Sequence, residues 1–121
     1  MHELSIAMSL VEMAAEKAAA LGDVQVEALR VRLGPLSGVV KEALLFSFDL
    51  AAEGTPIAGA RLEVEDVALT VFCSACAQER ELPGVQSLAC PVCGAPTPRV
   101  LRGKELELAS LEIRENAPTH R

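Results

Sequence analysis

Cys73-Ser74-Ala75-Cys76 and Cys90-Pro91-Val92-Cys93-Gly94 hold all 4 cysteines of this 121-residue chain, in two matched pairs with 13 residues between them. Two cysteines three apart wrap a tight turn around one ion. A second such turn, brought in by a short hairpin, completes a tetrahedral four-thiolate shell. Pro91 fixes φ where the second turn begins, and Gly94 can supply the positive φ that lets backbone amides point at sulfur. Two disulfides or four inert core thiols would use the same residues, but paired C-x-x-C at this spacing is specific for metal. With all four positions taken by protein, none stays open for chemistry, and such a site is structural.

Outward from this insert, the flanking patterns are those of a small α+β domain. Towards the N-terminus, Leu62 and Val64 alternate with Glu63 and Glu65, predicting one strand from Ala60 to Val71. Beyond the insert, Leu106, Leu108, Leu111 and Ile113 alternate with glutamates over Lys104 to Glu115, which predicts another. Apolar residues at Ala7, Leu10, Val11, Ala14, Ala18 and Leu21 predict an amphipathic helix over Leu4 to Leu21, stopped by Gly22. Val24 to Leu33 predicts a strand, with a change of phase between Val26 and Leu29 that suggests a bulge. Ser37 suits the N-cap of a second helix running to about Ala52, with Val40, Leu44, Phe48 and Ala51 on its inner stripe. The order α-β-α-β, metal module, β implies a right-handed crossover that makes the first two strands parallel. The expected fold is thus two helices on a small three-stranded mixed sheet, with an inserted four-cysteine, zinc-ribbon-like module. Residues 1–71 and 102–121 form the main domain, and residues 72–101, roughly Phe72 to Leu101, form the insert. Asn116 to Arg121 lacks large apolar residues and is expected to be mobile.

Composition removes several functions. No apolar run approaches the length of a membrane span, and no basic segment leads into an apolar one as in a signal peptide, so a cytoplasmic protein is expected. Reducing cytosol also keeps thiols available for metal. The net charge is −6 and the only aromatics are Phe46, Phe48 and Phe72, so the cationic footprint and stacking rings of a nucleic-acid binder are absent. Gly34-Pro35-Leu36-Ser37-Gly38 lacks the Gly-Lys-Ser/Thr ending of a phosphate loop. No nucleophile is paired with an orienting base, so catalysis is not expected.

The opening Met1-His2-Glu3 offers a second set of metal donors. The Met1 amine, a deprotonated His2 amide and the His2 imidazole can close adjoining chelate rings, and Glu3 can add its amide nitrogen or carboxylate. Such a planar nitrogen set suits Ni(II) or Cu(II) better than zinc. Taken alone, these three residues favour an exposed terminal histidine without a ligand role, and His120 near the other end is read that way outright.

Met1-His2-Glu3-Leu4-Ser5, the block Leu33-Gly34-Pro35-Leu36-Ser37-Gly38-Val39, Gly54-Thr55, Gly59-Ala60-Arg61-Leu62, both C-x-x-C pairs and Gly103-Lys104-Glu105-Leu106 together resemble the HypA/HybF family of hydrogenase nickel incorporation proteins. The likeness spans nearly the whole chain. It implies a nickel metallochaperone, not an enzyme, that helps load Ni(II) into the large subunit of [NiFe]-hydrogenase together with the GTPase HypB. By the same resemblance, His2 with its adjacent backbone nitrogens and Glu3 belong to the nickel site, where Ni(II) is transient cargo. Cys73, Cys76, Cys90 and Cys93 hold structural Zn(II), and the protein is a monomer or weak homodimer. Some family members carry histidines beside their cysteine pairs, and this chain has none. Two other readings of the same residues are a zinc-ribbon module in a nucleic-acid or transcription complex and a rubredoxin-like electron carrier, since paired knuckles also hold iron.

Overall fold

The structure, a computed structural model, describes residues 2–116. Met1, His120 and the segment after Asn116 lie outside the described residues, so the readings given to them above are not addressed. The elements run α1 (His2–Leu21), β1 (Val24–Leu33), α2 (Lys41–Ala52), β2 (Arg61–Asp66), β3 (Leu69–Cys73), β4 (Gln78–Leu82), β5 (Arg99–Arg102) and β6 (Leu106–Glu115). They form two sheets of three strands each, ordered β2-β1-β6 and β4-β3-β5. The chain forms two compact units. One comprises residues up to Val31, Val40–Val64 and the chain from Leu108, and the other comprises Arg32–Val39 and Glu65–Glu107.

In the first unit α1 and α2 pack together. Ala7, Leu10, Val11 and Ala14 recur at helical spacing along the buried side of α1, and Leu44, Phe48 and Ala52 do so on α2. Phe48 is 1% exposed, and removing such a ring from water contributes about 2–3 kcal/mol. Gly22, at φ +101°, ends α1 in a conformation that a Cβ disfavours. Along β1 the buried positions are Val26 and Ala28, then Leu29 and Val31, so the expected change of phase is present and falls at Ala28 and Leu29. Exposed charges on the strands meet across the sheet: Arg30 donates to Glu63 at 2.9 Å, Arg61 to Glu112 at 3.0 Å, and Arg114 lies 3.0 Å from Glu27. In the second unit Arg32 approaches Glu65 at 3.7 Å and Glu107 at 3.4 Å. Partner numbers rise together from Arg30/Glu63 to Arg32/Glu65, as parallel neighbours require, and run oppositely from Glu27/Arg114 to Arg32/Glu107, as antiparallel ones require.

In the second unit β3 is central and antiparallel to both β4 and β5. Leu69, Val71 and Cys73 alternate along it, and Leu69 and Val71 join Leu82 in a small core against Leu36, Leu88 and Val100. The strand that carries this core therefore also carries the first cysteine, two residues beyond Val71. A second close approach braces the unit: Gly34 N donates to Glu105 O at 2.8 Å and Leu36 N to Gly103 O at 2.7 Å.

Three expectations need correction. The single strand predicted from Ala60 to Val71 is two strands, broken at Val67 and Ala68, with β3 in the second sheet. No glycine or proline marks the break, and Val67 N instead donates to Leu33 O at 2.9 Å. Ser37 does not cap α2: the N-cap is Val40, and Ser37 Oγ accepts from Val39 N at 3.2 Å in a local turn. Asn116 is fixed, its side chain donating to Asp23 Oδ1 at 2.7 Å.

Candidate metal centre

Two turns in the second unit bring the cysteines together. After β3, the chain passes Cys73 and Cys76 and enters β4 through Ala77, whose φ of +56° is the only positive value at a non-glycine residue among the described residues. The later turn places Cys90 and Cys93 before Gly94, at φ +76°. Each pair is thus followed by a left-handed residue. At Gly94 the sequence announced it, whereas Ala77 gave no signal and holds the conformation at a strain of about 1–2 kcal/mol. Gly94 N donates to Cys90 O at 2.9 Å, Cys90 N to Ala95 O at 2.8 Å, and a bridge between Ala89 and Pro96 closes the loop.

The four sulfurs lie within 4.8 Å of one another, with Cys73 Sγ and Cys93 Sγ 3.5 Å apart and Cys76 Sγ and Cys90 Sγ 4.0 Å apart. A disulfide would need about 2.05 Å, and all four thiols are free. A regular tetrahedron with metal–sulfur bonds of ~2.3 Å has sulfur–sulfur edges of roughly 3.8 Å, so the two short edges bracket the spacing that one such ion needs. Cys76 N donates to Cys73 Sγ at 3.4 Å and Val92 N to Cys90 Sγ at 3.4 Å, the amide contacts that a thiolate needs when it leaves water.

Crowding of the sulfurs shows in their acidity. The Cys93 amide first, and then the Val92 amide and Arg80, outweigh burial and bring the Cys90 thiol down to about 6. At Cys93 the Ala95 amide acts downward, but the neighbouring Cys73, Cys76 and Cys90 sulfurs and burial prevail and push it up to about 11. One thiolate disfavours the next, which is the condition a bound dication relieves. Cys73 and Cys90 are buried, and Cys93 is exposed.

The N-terminal donors stand in the first unit. His2 opens α1 rather than preceding it, its imidazole mostly exposed, with Nε2 3.6 Å from Glu3 Oε2. Glu3 is 8% exposed, and its Oε2 accepts a hydrogen bond from Val40 N at 3.1 Å. That contact supplies α2 with the cap that Ser37 does not. The Val40 amide is the main reason the Glu3 carboxyl lies below its ordinary range, assisted by its own amide and by His2 against desolvation. Glu3 therefore has a folding role that the sequence did not reveal, because its partner lies 37 residues away. The described residues thus place His2 beside Glu3 and gather Cys73, Cys76, Cys90 and Cys93.

An α+β protein with one small sheet beside two helices, a second sheet ending in a four-thiolate pocket, and an imidazole at its leading helix defines a class of small metal-handling proteins. This chain belongs to the HypA family, described as hydrogenase/urease nickel incorporation metallochaperones, which it matches over residues 1–113. It is 52% identical over 118 residues to the hydrogenase maturation factor HypA of Roseiflexus sp. (strain RS-1), covering 98% of this chain and 96% of that one. It is 48% identical over 108 residues to that of Deinococcus radiodurans, covering 89% of each. The fold is similar to the solution structure of the Ni metallochaperone HypA from Helicobacter pylori, at 24% identity and a TM-score of 0.64 over 96% of this chain and 100% of that one. A second solution structure of a HypA protein gives a TM-score of 0.71 over 96% of this chain and 98% of the other, also at 24% identity. Membership of this family does not favour the transcription-module and rubredoxin-like readings. No helix among the described residues is long and apolar enough to cross a membrane.

Proposed function

We propose that this protein carries Ni(II) to a [NiFe]-hydrogenase precursor, binding it at the N-terminus and holding Zn(II) at Cys73, Cys76, Cys90 and Cys93 as a permanent structural ion. The observation that carries this reading is the family match over residues 1–113, which includes both donor sets. His2 would supply the imidazole and its amide nitrogen, Met1 its amine, and Glu3 its amide nitrogen. The Glu3 carboxylate is engaged by Val40 N, so it serves better as an anchor for the first turn of α1 than as a ligand. The positive end of the helix dipole opposes a bare cation there, which favours moderate affinity and hence release to a better ligand set.

In this reading residues 1–71 and 102–121 handle nickel, and residues 72–101 handle zinc. The chain performs no catalysis of its own and works in the cytoplasm as a monomer or weak homodimer. Its partners are the GTPase HypB and the hydrogenase large subunit. The test is nickel titration of the zinc-loaded protein and of His2→Ala. Expected is one nickel per chain in the parent, low-spin and near square-planar, and loss of that site in His2→Ala with zinc content unchanged. A His2→Ala protein that binds one nickel as tightly as the parent refutes the assignment.

A further inference from the structure

The strongest feature that neither donor set uses is a cation beside the sulfurs. Arg80 lies on β4 opposite Val71 in the β3–β4 register. That register puts its side chain on the sheet face that carries Val71 and Cys73, and the Cys76 and Cys90 sulfurs, one from each cysteine pair, are the groups that favour its charged form. One end is fixed, since Nη1 donates to Gln78 Oε1 at 2.8 Å. Nε is buried and has no acceptor among the described residues. A buried N–H without an acceptor is costly, and arginine is rarely placed so unless a negative group completes it.

Four thiolates around a divalent ion leave about two surplus negative charges. Backbone amides reach Cys73 and Cys90. The Cys76 and Cys90 sulfurs, 4.0 Å apart, are the pair with which Arg80 interacts electrostatically. We infer that Arg80 is a positioning residue for the metal-loaded centre, its fixed guanidinium donating to the Cys76 and Cys90 thiolates and offsetting their surplus charge. This rests on the zinc reading of the four cysteines and adds the group that holds the two turns against one another. A guanidinium keeps its charge across the physiological range, so this support does not switch with pH as an imidazole beside the same sulfurs would. Thiolates so covered are weaker nucleophiles, so the centre should also resist electrophiles and loss of its ion.

The experiment uses the full chain loaded with zinc, or with Co(II) as a visible reporter, in the parent, Arg80→Met and Arg80→Lys. Met keeps the length and apolar stem, and Lys keeps the charge without the planar fork. Arg80→Met should lower zinc affinity 10–100-fold in competition with a chromogenic chelator, as loss of such outer groups does at other metal sites. It should also speed alkylation of the zinc-bound thiolates by N-ethylmaleimide and move the sulfur-to-Co(II) charge-transfer band to lower energy. Arg80→Lys should recover part of each, and the gap between parent and Met should stay constant from about pH 6 to 8.

Unchanged affinity, alkylation and band position in Arg80→Met would overturn the inference. So would a loss of affinity with the band and alkylation unmoved, or an Arg80→Lys no better than Met, since both outcomes reduce Arg80 to packing. A parent protein that takes up neither zinc nor Co(II) at one per chain would instead strike the zinc reading itself.

Discussion

Gly34→Ala tests whether the backbone crossing near Gly103 braces the second unit. A Cβ built at Gly34 lies 2.2 Å from the carbonyl carbon and oxygen of Gly103, both main-chain atoms that cannot rotate away. Reaching a tolerable contact of about 3.2 Å requires the two segments to part by roughly 1 Å. Such a shift stretches the Gly34–Glu105 and Leu36–Gly103 hydrogen bonds, now 2.8 and 2.7 Å, past the range in which they hold. Each is worth about 1 kcal/mol net, and the stranded buried groups add to the loss, so a destabilisation of about 2–4 kcal/mol is expected. Gly103 cannot yield easily, because its φ is +131° and a Cβ there would meet Leu69 at 2.8 Å. The assay is urea unfolding of the zinc-loaded protein, paired with amide exchange at Leu36. Gly84→Ala serves as control: its Cβ meets only the movable end of Gln86, so a change within about 0.5 kcal/mol is expected. A Gly34→Ala protein as stable as that control, with Leu36 protection intact, would show that the crossing is not rigid and refute the reasoning.

Two further outcomes follow from the same contacts. Cys90→Ala leaves three thiolates, so zinc content should fall and amide exchange should rise across Phe72 to Leu101 while the helices of the first unit keep their protection; full zinc retention would be inconsistent with a four-thiolate centre. Glu63 is held below the ordinary carboxylate range by Arg30 first and then Arg61, so its stabilising effect is present above that range and disappears as pH falls through its lowered value. Glu63→Gln should therefore be less stable than the parent at pH ~7 and match it in acid near pH ~2, and a gap that widens on acidification would contradict the ion-pair account.

The metal centre and the strand break at Val67 differed most in how openly the sequence declared them. The metal centre was legible because its determinants are local: two ligands per turn, a proline to enter and a glycine to leave fix the geometry within a few residues. The helices and the strand before Gly34 were legible because periodic burial repeats over many residues, and even the change of phase in β1 had its mark in the order Val26, Ala28, Leu29. The break at Val67 was hidden, since a strand that leaves one sheet for another keeps the same φ and ψ preferences and needs no turn residue. Ser37 misled for a similar reason: it caps a local turn, and α2 takes its cap from Glu3 across the fold.

The chain alone thus determined the four-thiolate site, the helix–strand order and, through its ordered motifs, the family. Tertiary structure decided the rest: that His2 stands in the first turn of α1, that Glu3 is committed to Val40 N, and that Gly34 and Gly103 are glycines because two backbones meet there. Each of these is a contact between residues remote in sequence or on neighbouring strands. A linear pattern encodes which residues turn, coil or alternate, but the identity of an unsatisfied donor's partner exists only once the chain has closed upon itself.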